Sequence, residues 1–148
     1  MLLRVLEFLA LVLTAILLMP SGAHFFELPN KIGLVQDQYF IVQNIYRGWA
    51  LFGAVILPAL IVIALLAWTA RDDVFECRLA VLALLCIALS LVVFFTFVYP
   101  GNVATANWTS IPENWTTLRR NWEYGHAMSA ILTFVAFCAL VLGVVARR

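Results

Sequence analysis

Four long runs of apolar residues alternate with short polar segments along this chain. The runs predict transmembrane helices at about residues 2–26, 38–68, 74–99 and 111–146. Each run is longer than the roughly 20 residues that an α-helix needs to cross a bilayer. The pattern therefore predicts an all-α fold in which residues 1–148 form a single membrane domain, an integral membrane four-helix bundle.

Local signals indicate where these helices begin and end. Ser110 and Glu113 have the spacing of a capping box, which predicts that the fourth helix begins just after Ser110, outside the membrane. Asp73 is expected to cap the third helix, and Pro100 is expected to stop it. The first run also has features of a signal peptide, but Glu7 interrupts its apolar core, which favours an uncleaved helix.

Composition supports the membrane interpretation. Hydrophobic residues make up 65% of the chain and charged residues 11%, whereas a soluble domain carries about 25% charged residues. The net charge of +1 argues against a nucleic-acid partner, which would require a basic surface. The three cysteines lack a paired motif and are interpreted as packing residues. The expected partner is the lipid bilayer.

Four spans place both termini on the same side of the membrane. With both termini in the cytoplasm, the basic residues on that side are Arg4, Arg71, Arg78, Arg147 and Arg148. The opposite side then carries four basic residues, so the count of five against four favours cytoplasmic termini. In a bacterium the chain would lie in the inner membrane.

Most polar side chains with functional potential fall at the predicted extracytoplasmic end. This polar set comprises His24, Glu27, Tyr39, Gln43, Tyr46, Arg47, Asn102, Asn107, Arg119, Trp122 and His126. Ionisable residues at membrane depth are costly and tend to be functional, which favours a site at this end. Trp108 and Trp115 are interpreted instead as membrane-interface anchors. The opposite end is expected to offer little beyond a charged link and the terminal arginines.

Helical spacing aligns part of this set. Trp115, Arg119, Trp122 and His126 follow one another at steps of four, three and four, so they share one face of the fourth helix. Together with the topology, this spacing predicts that Arg119, Trp122 and His126 line one extracytoplasmic cavity with His24, Glu27, Arg47 and Asn102.

Three kinds of chemistry fit these residues. His24, Glu27 and His126 have the donor types of a metal site, although a hydrogen-bonded polar plug is the more common use of such a set. The two histidines also have the ligand type of an axial haem pair. In the third alternative, which needs no cofactor, a histidine base removes a proton from an acidic carbon and an arginine holds the resulting anion. We predict no metal and no cofactor.

The chain resembles a family of small four-helix membrane proteins that includes the anthrone oxygenases and the DUF1772 group. The resemblance rests on the four spans, a polar first loop, the turn at Pro100–Asn102 and the spacing from Trp122 to His126. The family pattern often continues to an arginine three residues after the histidine, where this chain has Ser129.

The resemblance implies cofactor-free oxygenation of a lipid-soluble, polycyclic phenolic substrate such as an anthrone. His126 would be the base, with His24 as the second choice, while Asn102 and Arg119 would hold the enolate. The further residues expected to contact substrate are Glu27, Tyr46, Arg47, Asn107 and Trp122. The alternative is a non-catalytic module that binds a quinone, haem or other lipophilic ligand, or packs as a homo-oligomer or in a larger membrane complex.

Overall fold

A computed structural model describes residues 1–146, and the described part of the chain is helical throughout apart from short turns. The α-helices are α1 (Leu2–Lys31), α2 (Gln36–Gln43), α3 (Gly53–Thr69), α4 (Val74–Val93), α5 (Tyr99–Ala104) and α6 (Trp115–Ala146). Two 3₁₀ turns, Asn44–Tyr46 and Trp49–Phe52, connect α2 to α3, and a π-helical segment, Phe94–Val98, joins α4 to α5. The terminal arginines used in the topology argument, Arg147 and Arg148, lie outside the described residues.

Four helical stretches are long and apolar enough to cross a membrane, which confirms the predicted all-α membrane fold. They are Leu2–Lys31, Trp49–Thr69, Val74–Ala104 and Trp115–Ala146. Helix α6 packs against α1 and α4, and α3 packs against the same two helices on the other side. The spans therefore form a ring in the order α1, α6, α4, α3, and the chain is an integral membrane protein.

Alanines from every span lie in the centre of the ring beside buried leucines and isoleucines, and large apolar side chains cover its outside. Four alanines, one from each span, are fully buried: Ala10, Ala59, Ala83 and Ala136. Small residues at these contacts let the helix backbones approach closely, which is how membrane helices gain packing energy. The exposed faces carry large apolar side chains suited to contact with lipid, among them Phe8, Leu57, Leu85 and Phe134.

The first two spans differ from the sequence prediction at their polar ends. Helix α1 does not end near residue 26 but continues to Lys31, whose buried amine is tied to other elements. The second span does not begin near residue 38, because Gly48 adopts a left-handed conformation with φ of +88° and interrupts the helix. The spanning part begins only at Trp49.

The signals predicted at the ends of the last two spans are right at Asp73 and wrong at Pro100 and Ser110. Asp73 caps α4 as expected, since its carboxylate accepts hydrogen bonds from the backbone N–H groups of Phe75 and Glu76. Pro100 does not stop the helix, because the π-helical segment ends just before it and Pro100 falls in the first turn of α5, where no N–H is needed.

The expected capping box of α6 is not at the helix start. Helix α6 begins at Trp115, and an early helical hydrogen bond joins the Leu118 N–H to the Asn114 carbonyl at 3.2 Å. Pro112 accounts for the delay, since a proline disfavours helical backbone at the residue before it. The residues 111–112 are not helical.

The end of the bundle opposite the polar set holds more than the sequence suggested. Glu7 of α1 and Glu76 of α4 are 8% and 3% exposed. Both carboxylates line a small cavity of about 10 Å³, which is close to the space that one water molecule requires. The prediction that this end offers little beyond its link and terminal arginines is therefore wrong.

The four spans give a direct test of topology. Truncated fusions to a reporter that is active only outside the cytoplasm should be active after Gly33, in the turn that follows α1, and inactive after Asp72, in the turn before α4. The two fusions should differ because one span separates the two positions. Gly33 should be the active position if both termini are cytoplasmic, as the count of basic residues predicts. Equal activity of both fusions would show that the number of spans is wrong.

Candidate functional site

The structure brings His24 and His126 into direct contact. Their rings stack with centroids 4.0 Å apart and planes inclined at 24°. Trp122, one turn before His126 on α6, packs its ring edge-on against both, at 5.0 Å from His24 and 4.2 Å from His126. Tyr46 and Trp49 close the other side of His24 at 4.5 and 5.4 Å. We call His24 and His126 the histidine pair.

Burial makes the histidine pair chemically notable. His24 is 5% exposed, and its Nδ1 has no hydrogen-bond partner within residues 1–146. A buried imidazole nitrogen without a partner is uncommon, because desolvation of a polar atom is costly unless a hydrogen bond replaces its water. His126 is partly buried.

A second set of buried polar groups lies next to the histidine pair, and we call it the charged network. Lys31 of α1 is 4% exposed and Glu123 of α6 is fully buried. The Lys31 Nζ lies 3.1 Å from the Glu123 Oε1. Such an ion pair loses its hydration on both sides and requires additional hydrogen bonds to be stable.

Hydrogen bonds involving α2 and the 3₁₀ turn after it extend the charged network. The Tyr39 hydroxyl donates to the Glu123 Oε1 at 2.8 Å and accepts from the Gln43 Nε2 at 2.5 Å. The Lys31 Nζ donates to the Tyr46 hydroxyl at 2.6 Å, and that hydroxyl donates to the Glu27 carboxylate. Glu27 is partly exposed, so the charged network extends from the buried interior towards the surface.

Burial and neighbouring carboxylates keep both tyrosines protonated. Burial, followed by the charge of Glu123, raises the pKa of the Tyr39 phenol. Burial and the hydrogen bond to Glu27 raise the pKa of the Tyr46 phenol. Both phenols therefore act as neutral hydrogen-bond donors to carboxylates over the physiological pH range.

Helical register explains why these groups meet. His24, Glu27 and Lys31 lie three and seven residues apart on α1, which places them on one face. On α6, Trp122 and His126 are one turn apart, and Glu123 lies beside them. Because α1 and α6 pack along their length, the two faces meet at the polar end of the bundle.

The side-chain oxygen of Asn102 is engaged in hydrogen bonds within the protein. Its Oδ1 accepts hydrogen bonds from the indole N–H of Trp122 at 2.8 Å and from that of Trp108 at 3.2 Å. Trp108 is 7% exposed and belongs to an aromatic core with Tyr39 and Phe40. The interpretation of Trp108 as an interface anchor is therefore wrong.

The Arg119 side chain is also engaged in contacts within the protein. Its Nη1 donates to the backbone carbonyl of Leu34 at 2.6 Å, which ties α6 to the first loop. Its guanidinium lies 4.7 Å from the ring centre of Trp115 and 5.4 Å from that of Tyr39. Trp115 is partly buried and packs against the same aromatic core, so it too is more than a surface anchor.

Two residues of the predicted polar set lie at the surface. Arg47 is exposed directly before the left-handed Gly48. Asn107 is exposed, has a φ of 55° and donates its backbone N–H to the Asn102 carbonyl at 2.7 Å. The structure therefore groups His24, Trp122 and His126 closely, with Glu27 and Tyr46 beside them.

The Lys31–Glu123 pair in the charged network is not predicted from the sequence. Neither Lys31 nor Glu123 is among the residues that the sequence pattern assigns to the site. The available signals were the i, i+4 spacing of Glu27 and Lys31 and the presence of an acidic residue next to Trp122 within a span. Among residues 1–146, no group of three histidine, cysteine or acidic side chains is arranged to hold a metal ion.

Comparisons with protein-family models, with curated proteins and with solved structures find no match to this chain. The resemblance to the anthrone oxygenases therefore stays a prediction.

Proposed function

We propose that this protein is a membrane enzyme of the anthrone-oxygenase type, which removes a proton from a lipid-soluble phenolic substrate at the histidine pair. The observation that carries the proposal is the buried His24 Nδ1, which has no hydrogen-bond partner in the described chain, directly beside the ring of His126. An imidazole nitrogen in such a position can accept a proton or bind a substrate hydroxyl, according to its tautomer.

The surroundings of the histidine pair suit an aromatic substrate. The rings of Tyr46, Trp49 and Trp122 all lie within 5.4 Å of the His24 ring, measured between centroids. Flat apolar walls with a few polar groups are typical of sites for small lipophilic ligands. Because the site lies within a membrane bundle, such a ligand would reach it from the bilayer.

The charged network supplies the cation that the reaction requires. Arg119, the cation expected from the sequence, is bound to the Leu34 carbonyl. Lys31 lies two turns from His24 on the same face of α1, and its Nζ donates to the Tyr46 hydroxyl, whose ring packs against His24. We therefore assign stabilisation of the enolate oxygen to Lys31 and Tyr46, acting as preorganised donors.

The proposed reaction balances without a cofactor. His126, or His24 as the second choice, takes a proton from the acidic CH₂ group, and the enolate transfers electrons to O₂ as a carbon–oxygen bond forms. Protonation gives a hydroperoxide, which loses water to leave a carbonyl. The net change is R₂CH₂ + O₂ → R₂C=O + H₂O, in which the substrate carbon is oxidised and O₂ is reduced.

Oxygen uptake with an anthrone tests the proposal. The purified protein in lipid nanodiscs should consume one O₂ for each quinone formed, measured with an oxygen electrode and by absorbance. His126→Ala and His126→Gln should each reduce the rate by about 10²–10⁴-fold, the usual contribution of a general base. The matched control is Thr117→Ala, an exposed position on α6 that should keep the wild-type rate.

Two results would overturn the proposal. The first is oxygen uptake no faster than with empty nanodiscs while the anthrone still quenches tryptophan fluorescence, which would favour a non-catalytic binding module. The second is an equal rate in wild type, in both His126 variants and in a His24→Gln variant, with all proteins folded by circular dichroism.

A further inference from the structure

A groove on the lipid-facing side of the bundle lies between α4 with its π-helical segment and the first half of α6. Its volume is about 480 Å³, within the roughly 300–1,000 Å³ of typical ligand sites. The floor and sides are apolar and include Leu89 and Val93 from α4 and Met128 and Leu132 from α6. None of these residues belongs to the histidine pair or to the charged network.

The groove changes from polar to apolar along α6. Arg120 and Tyr124 line it near the start of α6, and Leu132 lines it three turns further into the membrane. At about 1.5 Å per residue the distance along the helix from Arg120 to Leu132 is roughly 18 Å. Arg120 is exposed, so its charge is accessible at the polar end of the groove.

Gly125 separates the groove from the interior of the bundle. A Cβ atom at this position would lie 2.8 Å from the Val98 Cγ2 and 3.2 Å from the Phe97 Cβ. The backbone of α6 therefore packs directly against side chains of the π-helical segment here. This contact closes the floor of the groove, and a molecule lying in it stays on the lipid side.

We propose that this groove is a binding site for one anionic phospholipid, with the phosphate at Arg120 and an acyl chain lying towards Leu89 and Leu132. A guanidinium matches the geometry of a phosphate and binds it by charge-assisted hydrogen bonds. The apolar part of the groove suits a hydrocarbon chain and has no polar group that would bind a soluble anion. Charge and polarity thus match an amphiphile whose head group is anionic and lies at the membrane surface.

Retention of lipid during native mass spectrometry tests the site. Protein released from nanodiscs that contain equal amounts of phosphatidylglycerol and phosphatidylcholine should keep one phosphatidylglycerol per chain. Arg120→Gln should reduce that retention at least about tenfold, the effect of losing a hydrogen bond to a charged group. The matched control, Arg47→Gln, removes an exposed charge outside the groove and should leave retention unchanged.

A second pair of variants tests the apolar part of the site. Met128→Trp should fill the apolar part of the groove and abolish retention while the charge of Arg120 is intact. Met19→Trp adds the same ring at a lipid-facing position of α1 outside the groove and should have no effect. Three results would overturn the proposal. They are equal retention of both lipids, equal loss of lipid in the Arg120→Gln and Arg47→Gln variants, and a lipid-free dimer that Met128→Trp dissociates.

Discussion

Lys31→Met should lower the free energy of unfolding by about 3–5 kcal/mol, the usual effect of breaking a buried ion pair. The reason is that Glu123, which is fully buried, would lose the amine 3.1 Å away and would have to hold an uncompensated charge or take up a proton. The Tyr39 hydroxyl would then be the remaining neutral donor to the same carboxylate oxygen. One neutral hydrogen bond does not replace the attraction of a full positive charge.

The double variant Lys31→Met/Glu123→Leu should recover most of this loss, because removing both charges leaves no uncompensated ion. Unfolding by added denaturing detergent, followed by tryptophan fluorescence, measures the free energy of unfolding of the single variant, the double variant and wild type on one scale. Arg47→Met is the control, since it removes an exposed cation at the same end of the bundle. A loss for Lys31→Met no larger than that of the control would show that the pair adds nothing to stability.

Asn102→Ala should also destabilise the protein, by about 1–3 kcal/mol for each indole N–H that loses its acceptor. The Asn102 Oδ1 accepts from both Trp108 and Trp122, and neither ring is more than 7% exposed. Water therefore cannot readily replace the lost acceptor. Asn102→Asp keeps an acceptor oxygen at the same position and should be the milder change.

Thermal unfolding of the two Asn102 variants in detergent checks this expectation. A substrate-binding role alone predicts that Asn102→Ala retains the wild-type melting temperature while ligand binding falls. The structural role predicts a lower melting temperature before any ligand is added. His126→Ala provides the contrast, since no hydrogen bond of the described core depends on its ring, and it should stay folded.

Hydropathy was sufficient to predict the four spans and the collection of polar residues at one end. Apolar runs carry that information because burial in a bilayer is decided by composition over about 20 residues. The same information places His24 and His126 at one end of the bundle, since antiparallel spans bring the end of the first helix to the start of the last, whereas their contact also depends on α1 and α6 being neighbours.

Other features depend on tertiary contacts that single-sequence patterns do not contain. The pairing of Lys31 with Glu123 requires knowledge of which spans are neighbours. The break at Gly48 was missed because one glycine within an apolar run is compatible with a continuous helix. The early capping signal at Ser110 was misleading because Pro112 pushes its neighbour out of helical conformation.

The charged network also fixes the order in which the bundle can be completed. Tyr39 and Glu123 are 84 residues apart in sequence, so α1 and the first loop leave the ribosome long before their partner in α6. Until α6 docks, Lys31 has no access to Glu123 and its charge must stay near the hydrated membrane surface. The last helix to be synthesised therefore completes the polar core, and a nascent chain that stops before Trp115 has Glu27 but not Glu123 to pair with Lys31.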